Sequence, residues 1–317
     1  MQIPVESSRR HFLRAGVLAA ASVSLPAISE EKSDEQKKTK PLFKISLAQW
    51  SLNRAIRNEK SMTNLDFPVI SATKFKIRAI EYVNQLWEGD PDDQKYLADL
   101  KKRCDDNGVK SLLIMCDRLG RLGDPDDAKR AEAVANHQVW AEAAKYLGCH
   151  SLRVNAASAG EWDEQKKLAT DGLAKLSENV KPLGLNVIVE NHGGLSSNGK
   201  WLAETIESVG MDNCGTLPDF GNFVIDKKTG ESYDRYKGVT ELMPFAKGVS
   251  AKSKDFDEDG NEIHTDFRKM LKIVLDAGYD GFVGIEYEGK ELGEHEGIAA
   301  TKKLLAKVRR EMMQGSA

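Results

Sequence analysis

The sequence predicts a (β/α)8 TIM barrel, one α/β domain over residues 42–317. Three observations carry that reading. Short apolar runs and amphipathic stretches alternate eight times along the chain, a pattern that pairs strands in parallel through right-handed helical crossovers. What remains after the amino-terminal segment, about 275 residues, suits one barrel of this kind. The later apolar runs end abruptly in acids, amides or a lysine, and in a parallel α/β fold the functional groups sit where strands end.

Taken in order, residues 43–50 (FKISLAQW) read as the first strand, with a short helix near 66–74. Residues 77–83 form the second strand. The stretch 91–107 has helical spacing at Leu97, Leu100 and Cys104, and Gly108 caps it. The third strand is 109–115, and 126–147 is a long helix with Ala131, Val134, Trp140 and Ala144 on one side, stopped by Gly148. Residues 150–155 are the fourth strand, 163–183 a helix stopped by Gly184, and 187–194 (VIVENHGG) the fifth strand and its mouth loop. A helix over 201–209, a sixth strand over 215–222, a helix over 233–243 and a seventh strand over 248–252 follow. The helix 265–277, stopped by Gly278, the eighth strand 282–286 and the helix 298–312 close the barrel.

Residues 7–28 have another layout: Arg9 and Arg10 side by side, Phe12 and Leu13, then a short alanine-rich apolar run. The run falls short of the ~20 apolar residues that span a membrane. Its basic start and small residues near the end mark a secretory signal, and the paired arginines before Phe and Leu resemble a Tat signal. The expectation is a twin-arginine signal peptide over 1–29, a charged, disordered linker over 30–41, export to the periplasm, and no stable membrane anchor after cleavage.

With 40% hydrophobic and 30% charged residues the chain is of ordinary globular composition. Its formal charge of −3 advertises no nucleic-acid surface. Four scattered cysteines without paired spacing speak against a structural zinc site and for buried thiols. There is no GxGxxG after the first strand, no GxxxxGK[ST] and no GxSxG, so nucleotide sites and serine hydrolases of those kinds are unsupported.

The chemistry gathers at the late strand ends: Glu190, then Asp219, then Ser250 and Lys252, then Glu286. Three carboxylates in one barrel mouth repel each other unless a cation neutralises them or one is protonated. A divalent metal with oxygen ligands resolves this; a structural ion network with Lys252 or Arg153 is the alternative. The acidic run DFDEDG, with Asp255, Asp257 and Asp259, lacks the helix and closing glutamate of a calcium loop and reads as an acidic turn.

VIVENHGG, LPDFGN, GVSAK and GIEYEG, each closing a strand, resemble the xylose-isomerase-like superfamily of sugar phosphate isomerases and epimerases over residues 43–310. The resemblance implies one divalent metal (Mn, Mg, Co or Zn) held by Glu190, Asp219 and Glu286, with Ser250 standing where a histidine is usual. His192 and His264 are the candidates to replace that ligand. It also implies that Glu190 and Glu286 remove and return a proton beside a substrate carbonyl through an enediolate, with Lys252 acting on the developing oxyanion. Asn191, His192, Asn222, Arg153, Asn155 and Trp50 are expected to contact a small carbohydrate, and His295 to rim the mouth. Asn222 stands where many epimerases carry a histidine. The expected activity is that of a sugar isomerase or epimerase. A lyase or hydrolase acting on 3-keto-glycosides, as some exported relatives are thought to be, would use the same first step. A non-catalytic carbohydrate-binding barrel is the reading from another class. A homo-oligomer is left open, and DNA repair of the endonuclease IV kind is opposed by only six histidines and a negative charge.

Overall fold

A computed structural model describes residues 41–315; the export-signal reading and nearly all of the linker lie outside them. The strands are β1 (Lys44–Ala48), β2 (Ala79–Val83), β3 (Lys110–Met115), β4 (Ser151–Val154), β5 (Asn186–Glu190), β6 (Cys214–Leu217), β7 (Val224–Asp226), β8 (Glu231–Ser232), β9 (Val249–Ser253) and β10 (Phe282–Tyr287). The helices are α1 (Asn53–Arg57), α2 (Phe67–Thr73), α3 (Gln94–Asp106), α4 (Asp127–Leu147), α5 (Trp162–Val180), α6 (Gly199–Val209), α7 (Arg235–Leu242), α8 (Phe267–Asp276) and α9 (Glu294–Met313).

Eight strands pair in parallel in the order β6-β5-β4-β3-β2-β1-β10-β9. The two edges of this order meet. Ser250 N–H donates to the Pro218 carbonyl at 2.9 Å and Phe220 N–H donates to the Ser250 carbonyl at 3.1 Å, with Asp219 and Ser250 paired across the seam. The sheet therefore closes into a TIM barrel. Its strands are buried because helices cover them outside and side chains fill them inside; Val187, Ile188, Val189, Val249, Ala251, Val283 and Ile285 are fully enclosed.

The helices form where apolar side chains recur on one face, and their ends are held by local chemistry. Asp126 accepts from the N–H groups of Ala128 and Lys129 at the start of α4, satisfying donors that the first turn leaves free. Gly148 ends the same helix at φ 78°, a left-handed conformation that costs glycine little. Cys104, Cys116, Cys149 and Cys214 are buried free thiols, as the spacing suggests.

Two elements escape the periodicity. The α1 turn after the first strand is too short to show a repeat. The β7–β8 hairpin is inserted between β6 and α7, where the sequence reads only as a loop. The sixth strand is also shorter than expected and stops at Leu217, because Pro218 has no N–H to continue a ladder. Asp219 thus sits just past the strand, at the seam.

Packing between α5 and the loop before α4 leaves no room at Gly172. An added Cβ there would lie 1.8 Å from the Leu122 carbonyl oxygen, a backbone atom that no rotamer change can move. Gly172→Ala is expected to destabilise the barrel by about 1–3 kcal/mol despite alanine's higher helix propensity. A denaturant midpoint equal to or above that of the wild type would contradict this packing.

Candidate active site at the barrel mouth

Glu190 ends β5, Asp219 follows β6, and Glu286 lies near the end of β10. All three are buried, and each offers an oxygen within 4.8 Å of the others. The fold brings them together because parallel strands all present their carboxyl ends on one rim.

Each acid is held by named partners. Glu190 Oε2 accepts from Nε and Nη2 of Arg153, and its Oε1 accepts from Asn222 Nδ2 at 2.7 Å. Asp219 Oδ1 accepts from the N–H groups of Gly221 and Asn222, both at 2.8 Å. Ser250 Oγ lies 2.8 Å from Asp219 Oδ2 and 3.1 Å from Glu286 Oε2, so one hydroxyl proton serves two carboxylates. Lys252 Nζ approaches Glu286 Oε1 at 3.2 Å and Glu288 Oε1 at 3.5 Å, and donates to Asn222 Oδ1 at 3.1 Å.

The electrostatics show an acid excess. Burial, reinforced by Glu190 and Glu286 and opposed by Lys252, pushes the Asp219 carboxyl up to about 7. Burial alone would pull the Lys252 ammonium down, but Asp219 and Glu286 outweigh it and hold it well above the usual lysine range. Glu190, Asp219, Glu286, Asp117 and Glu288 face two buried cations, Arg153 and Lys252. With Asp219 ionised that is an excess of three negative charges, which a divalent cation would reduce to one while favouring the ionised Asp219. The donor set of carboxylates and a hydroxyl is all hard oxygen, suited to such an ion.

The remaining expected residues fall in two groups. Asn191 is buried and structural in its contacts: it donates to the Asp219 and Asn222 carbonyls and accepts from Asp219 N–H at 2.7 Å, locking the β5 and β6 loops together. Asn222 spans Glu190 and Lys252, so both ends of its amide are engaged within the protein. Trp50, Arg153, Asn155 and His192 line a cavity of about 350 Å³ with Glu286. Trp50 Nε1 donates to Glu288 Oε1 at 2.8 Å. His192 sits on the rim, outside the carboxylate cluster. His264 is not brought to the mouth. Its ring lies 3.1 Å from Asp255 Oδ2 and lines a separate cavity with Tyr236 and Arg268, because the loop after β9 folds outward as an acidic turn closed by Asp257 and Asn261. His295 likewise lines another cavity, beside Arg54 and Glu294, and packs edge-on against Phe75. Trp87 belongs to an aromatic cluster with Tyr82, Tyr96 and Trp140.

Sequence reasoning missed several groups. Asp117 lies two residues past β3 and accepts from Arg153 Nη1 and Asn155 Nδ2, both at 2.7 Å. Burial would raise its carboxyl, but Arg153 and Asn155 hold it down at about 2. The strand-end rule, applied to the third strand as well as the later ones, would have found it. Glu288 lies two residues past Glu286 and bridges Trp50 and Lys252. Glu81, inside β2, faces the barrel interior. Its Oε1 accepts from Ser46 Oγ at 2.6 Å, Oε2 has no protein partner, and both oxygens stand where a Cβ on Gly284 would be.

With this geometry in view, comparison with known proteins gives a consistent result. The profile of the family described as xylose isomerase-like TIM barrel matches residues 71–308. The chain belongs to the xylose isomerase-like TIM barrel family. The structure of L-ribulose 3-epimerase matches with a TM-score of 0.68 at 16% identity, over 87% of this chain and 98% of that one. A xylose isomerase-like TIM barrel protein from Mycobacterium smegmatis, in complex with magnesium, matches with a TM-score of 0.63 at 14% identity, over 88% and 98%. At such identities these likenesses speak for the fold. A 73-residue segment is 36% identical to the C-glycoside deglycosidase alpha subunit of Arthrobacter globiformis, spanning 22% of this chain and only 21% of that protein.

For this member of the xylose isomerase-like family, the buried Glu81 makes a pH prediction. Burial, then the charges of Glu286 and Glu190, push its carboxyl from the ordinary 4.5 up to about 7, against the Ser46 hydrogen bond. Between those values the folded protein holds a proton that the unfolded chain has released, so this group's contribution falls as pH rises. Glu81→Gln keeps the size and the acceptor for Ser46. Its stability relative to wild type is expected to improve from pH 4 to pH 8 by on the order of 3 kcal/mol, read by denaturant unfolding at both pH values. A difference independent of pH would refute it.

Proposed function

We propose that the chain is a metal-dependent sugar isomerase or epimerase that moves a proton on the carbon beside a carbonyl, through an enediolate. The observation that carries this reading is the buried triangle of Glu190, Asp219 and Glu286 oxygens within 4.8 Å of one another. These three, with the Ser250 hydroxyl, are the residues that would hold a divalent ion, Mn, Mg, Co or Zn. Such an ion, when bound, supplies polarisation of the carbonyl and acidifies the neighbouring C–H.

The chain's own groups do the rest. Glu190 and Glu286 come from β5 and β10, the strands that flank β6 and β9, so one can take the proton and the other return it. Arg153 and Asn222 fix the Glu190 carboxylate from both oxygens, which keeps its orientation defined. Lys252, 3.2 Å from Glu286, is placed to donate to the oxygen where negative charge develops. Trp50 offers an apolar face to a sugar ring. Asn155 lines the cavity, with its Nδ2 held by Asp117 and its Oδ1 buried without a protein partner.

A second reading rests on the 36% identity of a segment to a C-glycoside deglycosidase subunit. On a 3-keto-glycoside the same proton removal is followed by departure of the aglycone from the adjacent carbon, with the electron pair of the C–H bond forming the new C=C bond. The leaving group then takes a proton. We further propose that the twin-arginine leader exports the folded chain, so that free or oxidised saccharides are its substrates.

The test is to measure bound metal, then incubate the protein with ketoses and 3-keto-glycosides in heavy water and follow the products by NMR. Deuterium entering beside the carbonyl is expected, with aglycone release deciding between the two readings. Glu190→Gln or Glu286→Gln is expected to slow exchange by about 10²–10⁴-fold, and Asp219→Asn to lower metal content. Neither metal nor exchange with any substrate would leave a carbohydrate-binding barrel as the surviving reading.

A further inference from the structure

The mouth has two lobes. The first is the cavity of about 350 Å³ over Glu286 and Arg153. The second, of about 310 Å³, opens beside it and is lined by Asn222, Val224, Lys227, Lys252 and Lys254. His192 and Glu288 border both, so a ligand seated over the carboxylate triangle can extend past them into the second lobe.

The two lobes differ in charge. Asp117, Glu286 and Glu288 dominate the first, against Arg118 and Arg153. Three lysines line the second, against Glu288 alone, and Glu288 is already shared between Trp50 and Lys252. Among the described residues neither Lys227 nor Lys254 has an ion-pair partner. In a chain of net charge −3, this is a local reversal of sign.

The lysines stand on anchored backbone. Lys254 N–H donates to Glu262 Oε1 at 3.2 Å, and its carbonyl lies against Gly289, where a Cβ would come within 2.0 Å. Lys227 is carried at the tip of the β7–β8 hairpin, next to Asp226, whose carboxylate caps Lys228 N–H at 2.7 Å. The hairpin is fastened below by the buried Phe223 ring, which occupies the space where Gly238 lacks a side chain. Val224, 41% exposed, gives the lobe one apolar wall.

We infer that the second lobe is a subsite for an anionic substituent, a carboxylate or a phosphate, on the carbohydrate whose reacting carbon lies in the first lobe, and that Lys227 and Lys254 read that charge. The inference rests on the proposed function for the position of the reacting carbon. Lys227 and Lys254 are exposed residues that line the cavity, and an ammonium without an ion-pair partner gains a charge-assisted hydrogen bond when an anion arrives. They also attract it from solution, in a salt-dependent way.

The test reads binding rather than turnover. D-glucose, D-glucuronate and D-glucose 6-phosphate are titrated into the full chain by ligand-observed NMR, for wild type, the K227A/K254A double variant and the K227R/K254R double variant. The wild type is expected to prefer at least one anionic sugar over glucose. The alanine variant is expected to lose about tenfold of that preference, and the arginine variant to retain it. Which anion is preferred identifies carboxylate or phosphate. No preference in the wild type, or the same preference in the alanine variant, would overturn the subsite. Failure of deuterium exchange would sink the proposed function while leaving this binding result standing.

Discussion

The structure is organised around a buried excess of negative charge. Glu190, Asp219 and Glu286 are brought within a few ångströms by the closure of the barrel, where water cannot screen them. Arg153 and Lys252 offset part of that repulsion, and each is buried with its acids rather than paired at the surface. A buried ion pair gains or loses stability according to how completely its hydrogen bonds are satisfied. Here each of the six oxygens of the triangle has a named donor, which leaves further lone pairs for a cation.

The seam of the barrel and the site are the same place. Ser250 joins β9 to the residues after β6 through its backbone, and through its side chain it sits between Asp219 and Glu286. A small hydroxyl at this position links two carboxylates that would otherwise face each other. Ser250 therefore takes part both in closing the sheet, beside the Thr216–Ala246 bridge, and in arranging the acids, and Asn191 adds a further tie between neighbouring loops.

Around that centre the rim is built from loops of unequal character. The β5 loop brings His192, the β7–β8 hairpin brings Lys227, and the residues after β10 bring Glu288. A rigid barrel carrying variable loops is the arrangement by which this fold supports different substrates over one kind of chemistry. The charge difference between the two lobes comes from these loops together with the strand residues Glu286 and Lys252.

Much of this was legible in the chain. The alternation of apolar runs with amphipathic stretches determined the barrel, because strand and helix periods are local properties of the backbone. Glycines at 148, 184 and 278 marked helix ends, and all three adopt positive φ. Strand ends pointed to Glu190, Asp219, Lys252 and Glu286 because in a parallel barrel sequence position at a strand end is also position at the mouth. Only the tertiary structure decided what those residues touch. It showed that Asn222 joins Glu190 to Lys252 across the mouth, that Asp117 secures Arg153, and that His264 is turned away with Asp255. It also revealed Glu81 facing inward and the hairpin that places Lys227. Except for His264 with Asp255, nine positions away within one loop, these are contacts between residues tens of positions apart in the chain, set by how loops return over the barrel, and no local period encodes them.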